Sequence, residues 1–321
     1  MTLDINWYKI RLNFSTMVIA ALCKQVHGDV FREVEKELGP LAVKRAVNFS
    51  FKRYSILVTD QNERKLLLKI FEPKENNIDL MNNEADILDI LSEVSEKYKE
   101  NGADEARKRE IRFYKEFKDK NITHICKCLS ILEIGGDEHL LLEDASQGKI
   151  TDYLKNNEMK KSWPMQLAQA ITCIHAMGWF HGDVSHNNIL VGKFGNLVLC
   201  DYTSSGRIGE DERGKATYGY EDPYISTPEA SDIYAVGVAI WVMFNKVAAP
   251  INERYKINGV MEDGVLDAVV DKKIPHTEME FFMRKLDNCE DYKDIILRMI
   301  SLPINRPSII TVTEFCSNHQ Y

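Results

Sequence analysis

The spacing of apolar residues changes character several times along the chain, and each change predicts an element. Residues 1–38 carry apolar positions at helical spacing, from Met17 to Val26 and again through Val30, Phe31, Val34 and Leu38. This predicts helix until Gly39-Pro40 stops it. Strand-like runs follow over 41–47, 54–59 and 65–71, the last two joined by the turn-forming Asp60-Gln61-Asn62. A charged helical stretch then keeps Leu80, Ile87, Leu88, Leu91 and Val94 on one face; Asn101-Gly102 breaks it, and a second helix is predicted from about Asp104 to Lys118. Residues 128–134 and 138–143 read as the strands of a hairpin turned at Gly135-Gly136-Asp137. From Lys149 onward the pattern is mainly helical, interrupted by a loop and strand over 181–201. Strands with one or two helices, followed by a helical half, predict an α+β plan in two lobes.

Composition narrows what such a plan can do. The 321 residues carry 44% hydrophobic positions, enough for an ordinary globular core. Lys+Arg 41 against Asp+Glu 49 leaves a net charge of −8, which argues against nucleic acid as a partner. The seven cysteines form no CxxC pair and no closely spaced framework, which predicts a reducing, cytoplasmic setting (or delivery into a host cytosol). His124, Cys126 and Cys128 cluster in THICKC, but no fourth ligand is apparent, so they read as buried or half-buried strand residues. No run reaches the about 20 apolar residues that span a bilayer. Residues 14–23 have only a faint likeness to a signal segment and read as an amphipathic or buried helix.

Candidate chemistry concentrates in HGDVSHNNIL, residues 181–190. Asp183 is placed to orient a hydroxyl and accept its proton. Asn188, five residues on, offers a metal ligand, while Ile189, Leu190 and Val191 pin the loop to a core. VLCDY then sets Asp201 at the end of a short strand, eighteen residues past Asp183, where a carboxylate can bridge a metal ion to phosphates. Each residue alone reads as a solvated loop polar group. In this order and spacing they point to phosphoryl transfer.

These motifs resemble the protein-kinase superfamily, whose catalytic loop reads H-R-D-L-x-x-x-N and is followed by D-F-G. The resemblance spans about residues 41–313. It implies a bilobal protein-kinase-like fold: a helical extension over 1–40, a small β-rich lobe over 41–144 with a helical insertion at about 73–104, and a larger, mainly helical lobe over 145–321. It implies ATP and Mg2+ as cofactors and a protein hydroxyl, of serine or threonine, as acceptor. Lys69, in LLLKIF, matches the strand lysine that holds the α- and β-phosphates. Its partner glutamate is assigned to Glu110 over Glu84, because 33 residues separate Glu110 from Glu143 whereas 59 separate Glu84 from it. Glu143 and Ala145 match the hinge that meets adenine, with Leu142 as gatekeeper; Asn188 and Asp201 match the metal ligands, and Asp183 the catalytic aspartate. GYEDPY (219–224) resembles the end of an activation segment. Asp232, in SDIYAVGVAIW, and Arg306, in NRPS, match residues with structural roles.

Several positions depart from that pattern. Asn48-Phe49-Ser50-Phe51-Lys52-Arg53 holds no glycine where the family has a glycine-rich phosphate loop, leaving a side-chain grip by Lys52 or Arg53 as one alternative. Gly182 replaces the catalytic-loop arginine that receives an activation-loop phosphate, which implies activity without a phosphate around Thr217 and Tyr218. Ser185 stands where serine kinases place a lysine near the γ-phosphate. Asp201-Tyr202-Thr203 replaces D-F-G, as in haspin-like kinases. Tyr224 occupies the place of the glutamate that pairs with the late arginine, leaving Glu221 or Glu229 as substitutes. Two other readings stay open at this point: a small-molecule phosphotransferase of the aminoglycoside- or choline-kinase kind, and a pseudokinase scaffold. Residues 1–38 and 73–104 offer themselves as partner-docking segments.

Overall fold

In the computed structural model, residues 24, 27–50, 53–71, 103–144, 146–156, 158–210, 214, 216–217, 219–246, 256–257, 260–261 and 290–319 are described. Predicted features that fall elsewhere, among them the helix before residue 24, the insertion with Glu84, and Lys52, Ala145 and Tyr218, lie outside the described residues. The chain divides into two compact units. One comprises residues 1–119 and 127–144; the other comprises 120–126 and 145–321.

The first unit is built on an antiparallel sheet. Helix α1 (Gly28–Leu38) precedes β1 (Ala42–Ser50), β2 (Arg53–Thr59) and β3 (Lys65–Phe71); α2 (Ala103–Phe117) is followed by β4 (Cys128–Ile134) and β5 (Asp137–Glu143). The strand order is β1-β2-β3-β5-β4. Alternation decides the faces: Leu66, Leu68 and Ile70 of β3 are buried with Ile56 and Val58 of β2, Leu132 of β4 and Leu141 of β5. Val30, Phe31 and Val34 form one stripe of α1 and close the same cluster. The helix begins at Gly28, with His27 as its N-cap, so the part of the helical prediction over 1–38 that falls in the described residues is met from there. It ends as predicted, where the Gly39 N–H donates to the Glu35 carbonyl at 2.9 Å. Strand β1 runs on to Ser50, three residues past its predicted end. Asn48 and Ser50 are poor strand formers, but pairing with Ser55 and Arg53 of β2 supplies their backbone partners.

The second unit holds β6 (Ser146–Lys149), α3 (Ile150–Lys155), α4 (Trp163–Ala176), β7 (Trp179–Phe180), β8 (Ile189–Gly192), β9 (Leu197–Leu199) and β10 (Gly206–Arg207). After these come α5 (Pro228–Asn245), β11 (Lys256–Ile257), β12 (Val260–Met261), α6 (Glu290–Met299) and α7 (Ile309–Asn318). Strands β6, β8 and β9 form a small sheet in that order. The polar SQGK of β6 gave no strand signal; its order comes from pairing with Leu190–Gly192. Helix α5 is the core element, buried from Asp232 through Met243. Its start is fixed by Thr227, whose hydroxyl accepts the Ala230 N–H at 3.4 Å, and by Pro228 in the first turn.

A buried ion pair ties the stretch before α5 to the chain before α7. Both guanidinium nitrogens of Arg306 bond the Asp222 carboxylate, Nη2 to Oδ1 at 2.8 Å, with the side chains only 1% and 2% exposed. Arg306 also donates to the Ala230 and Ser301 carbonyls at 2.8 and 2.9 Å, so its fork is well used. The partner is therefore Asp222 and neither Glu221 nor Glu229. The carboxylate sits two residues before Tyr224, whose ring lies 5.7 Å from the guanidinium carbon. Burial pushes the Asp222 carboxyl upward, but bonds from Arg306, Ser226 and the Tyr224 N–H together hold it below the usual range. A lowered pKa makes its stabilisation complete above the unfolded value of about 3.9 and lost as pH falls through the folded value. Asp222→Asn should cost about 3–5 kcal/mol at pH 7 in urea unfolding. The gap to wild type should shrink as the pH is taken below about 4.

Candidate active site

Lys69 owes its position to the alternation of β3. Its neighbours Leu68 and Ile70 enter the core shared with α1, so Lys69 points to the other face of the sheet. There its Nζ meets Glu110 Oε1 of α2 at 2.5 Å, with the side chains 15% and 1% exposed. Helix α2 is held for this contact by its buried Ile111, Phe113, Tyr114 and Phe117. Arg107 and Lys115 add ion pairs to Asp137 and Glu138 of β5 at 2.6 and 2.7 Å. The two predicted partners are thus brought together across 41 residues of sequence. At the end of β5, Leu142 is buried and Glu143 is exposed, and the Glu143 N–H donates to the Lys127 carbonyl at 2.9 Å.

In the second unit, the 181–188 loop is fastened from beneath by Asp232. Its Oδ2 accepts the His181 N–H at 2.8 Å and its Oδ1 the Gly182 N–H at 2.9 Å. His175 Nε2 reaches Oδ2 at 2.9 Å. Burial raises the Asp232 carboxyl most strongly, yet the His175 bond, the nearby imidazoles and the His181 N–H together keep it below the usual range. His181 continues the chain of contacts: its Nδ1 accepts the Asp183 N–H at 3.1 Å, and its Nε2 lies 3.3 Å from the Cys200 carbonyl.

That scaffold brings Asp183, Asn188 and Asp201 into one neighbourhood. Asn188 Nδ2 donates to Asp183 Oδ2 at 2.7 Å and to the Asp183 carbonyl at 2.9 Å, which directs its amide oxygen away from the aspartate. The Asn188 carbonyl accepts the Cys200 N–H at 2.9 Å, setting Asp201 next to it in the chain. Asp201 has φ 66, and its Oδ1 accepts the Thr203 hydroxyl at 2.7 Å. Tyr202 is fully buried and donates its hydroxyl to the Leu199 carbonyl at 2.9 Å. Of the two residues that replace Phe-Gly, the threonine thus bonds the Asp201 carboxylate, and the tyrosine hydroxyl bonds the end of the preceding strand. Burial pushes the Asp183 carboxyl upward, against bonds from Thr217 and Asn188 and the charge of His181, which lower it.

An amide oxygen beside a carboxylate suits Mg2+, which takes few protein oxygens and completes its shell with water and substrate phosphates. No set of three or more His, Cys, Asp or Glu side chains able to hold a metal occurs among the described residues. His124 instead puts Nδ1 3.1 Å from the Leu197 carbonyl, its pKa lowered by burial, and Cys126 and Cys128 are buried.

Two features escaped the sequence reading. The Thr217 N–H donates to Asp183 Oδ1 at 2.6 Å, a backbone contact that no side-chain motif announces. Gly182, with φ +78, is more than an arginine lost: a Cβ there would lie 2.3 Å from the Ser204 carbonyl oxygen. A Cβ on Gly214 would lie 2.6 Å from the Ser204 Cα, so two glycines admit Ser204 to a space that side chains would fill. Ser185 is fully buried, and among the described residues its Oγ has no hydrogen-bond partner.

Comparison with known proteins agrees with this geometry. The family profile described as "Protein kinase domain" matches residues 85–321. The "Probable serine/threonine-protein kinase kinX" of Dictyostelium discoideum is 23% identical over 221 residues, covering 64% of this chain and 19% of its own. "Serine/threonine-protein kinase kin-29" of Caenorhabditis briggsae is 25% identical, covering 51% of this chain and 21% of its own. "CBL-interacting protein kinase 24" of Oryza sativa subsp. japonica is 29% identical, over 42% and 32%. The chain thus spans between a fifth and a third of the length of these relatives. No described helix is long and apolar enough to cross a membrane.

Because Gly182 combines a left-handed backbone with contact to Ser204, restoring the family arginine there should fail. Gly182→Ala and Gly182→Arg should each destabilise the protein, the alanine by about 1–3 kcal/mol, measured by thermal or urea unfolding.

Proposed function

We propose that this chain, which belongs to the protein kinase domain family, transfers the γ-phosphate of ATP to a serine or threonine hydroxyl of a protein in a Mg2+-dependent reaction. The observation that carries the reading is the Asp183–Asn188–Asp201 neighbourhood hung on the buried Asp232 carboxylate. The names of two of the relatives reported above favour serine or threonine as acceptor.

Each residue has a task that its surroundings suit. Lys69, held by Glu110, would bind the α- and β-phosphates as a fixed positive charge. The Asn188 amide oxygen and the Asp201 carboxylate would hold Mg2+, which when bound neutralises charge on the phosphates being transferred. The backbone at Glu143 and Ala145 would meet the adenine. Asp183 would orient the acceptor hydroxyl and take its proton as the new bond forms; Thr217 and Asn188 fix the direction in which its oxygens point.

The departures set the expected pace. With Ser185 buried, no lysine at that position meets the γ-phosphate, and such a loss costs on the order of one to a few kcal/mol of transition-state stabilisation. A phosphate around Thr217 is not required, because Gly182 leaves no arginine to receive it.

Wild type and Asp183→Asn, incubated with labelled ATP, Mg2+ and generic protein acceptors, test the reading. Label on protein that falls by about 100-fold or more in the variant is the expected result. Turnover only with small hydroxyl compounds would assign the chain to small-molecule phosphotransfer, and a folded wild type that turns over nothing would make it a binding scaffold. The raised Asp183 pKa adds a pH signature, since the protonated acid cannot accept the hydroxyl proton. The kcat/KM of wild type should therefore fall with acidification through a pKa above the ordinary aspartate value of about 3.9.

A further inference from the structure

The 181–188 loop touches the segment leading to α5 at a second point, which the reading above leaves without a task. His186 Nδ1 lies 3.0 Å from the Tyr220 hydroxyl, and the two rings are 5.4 Å apart with their planes inclined by 34°. Tyr220 is 1% exposed. Ile150 of α3, Ile189 of β8, and Val242 and Met243 of α5 line the same recess, so the pair is backed by the core of the unit. Burial, aided by the charge of Lys149, lowers the His186 pKa, and burial raises that of the Tyr220 phenol. The His186 ring and the Tyr220 hydroxyl thus share one hydrogen bond.

The bond closes a ring of contacts. The Tyr220 N–H donates to the Thr217 carbonyl at 3.0 Å, forming a turn, and the Thr217 N–H donates to Asp183 Oδ1 at 2.6 Å. Asp183 and His186 are three residues apart on one loop. The turn is thus held at both ends, by Asp183 at Thr217 and by His186 at Tyr220. Releasing the His186 end removes one of the restraints on the turn, and the Asp183 carboxylate that accepts the Thr217 N–H then takes up more of its motion.

We propose, resting on the kinase reading, that His186 and Tyr220 are positioning residues: their hydrogen bond clasps the 217–220 turn to the catalytic loop and so sets the orientation of the Asp183 carboxylate. The clasp orders the segment without a phosphate, on the loop where Gly182 has replaced the arginine. Neither side chain needs to touch ATP or acceptor. The effect on the reaction is therefore on turnover and not on nucleotide binding.

Four variants of the full chain test this: Tyr220→Phe, His186→Ala, the double variant, and His186→Asn, whose amide places a hydrogen-bonding atom near the position of Nδ1. The readouts are amide exchange at Thr217 by NMR, the melting temperature, and steady-state kinetics with a protein acceptor. Tyr220→Phe and His186→Ala should each speed Thr217 exchange about tenfold and lower kcat about tenfold, with the KM for ATP within about twofold of wild type. The double variant should be no worse than either single one, because both remove the same bond. His186→Asn should recover most of both losses. Unchanged Thr217 exchange in Tyr220→Phe, additive losses in the double variant, an asparagine no better than alanine, or losses that track only the melting temperature would overturn the proposal. If wild type transfers no phosphate while Thr217 exchange responds as described, the clasp stands and the kinase reading falls; if phosphate is transferred but exchange and kcat do not move, the reverse holds.

Discussion

Asp232 is an acid placed where no acid belongs unless it is fully bonded. Its carboxylate lies in the core of α5, and an unpaired charge there would cost several kcal/mol. The three donors that satisfy it are two consecutive backbone N–H groups, of His181 and Gly182, and the ring of His175. Satisfying the buried charge therefore fixes the path of the loop that carries Asp183. His181 then passes the constraint on, through one ring nitrogen to the Asp183 N–H and through the other to the end of the strand before Asp201. The residues proposed to face substrate are held by one that has no need to meet it.

The same logic appears in the first unit, with a different source of order. There the period of a strand, two residues, sends Leu66, Leu68 and Ile70 one way and Lys69 the other. A lysine among leucines is tolerated because Glu110 waits on α2, and α2 is kept at the right height by its own apolar stripe and by Arg107 and Lys115. Neither unit places these charged groups on loops alone. Each hangs a charged group on an element whose place is already settled by hydrophobic burial.

Much of this was legible in the sequence, and what was not has physical reasons. Lys69, Asp183, Asn188 and Asp201 are polar residues set in an apolar run or in an ordered motif, contrasts that can be read from one chain, whereas Glu110 came from counting back from Glu143. The α+β plan followed from the switch in periodicity near Leu41 and again near Lys149. Strand β6 was illegible because its order comes from the partner strand, and SQGK has no propensity of its own. The pairing of Arg306 with Asp222 was missed for a similar reason. An ion pair depends on where the backbone delivers one carboxylate and one guanidinium, and counting from Tyr224 pointed to the wrong acids. Gly182 read only as the replacement of an arginine. Only the approach of Ser204 shows that its lack of a side chain is itself used.

The packing of α1 bears on how the first unit can be handled in isolation. Val30, Phe31 and Val34 cover a patch of sheet made of Ile56, Val58, Leu66, Leu68 and Ile70. Helix α1 lies before the first strand, so a cut at residue 39 or 40, which sequence matching to the kinase fold would invite, strips that cover away. The shortened protein would present five aliphatic side chains on a twisted sheet, a surface suited to self-association. Soluble material should begin upstream of His27, and failure of shorter versions to stay monodisperse would reflect this missing lid on the sheet and not any defect in the site.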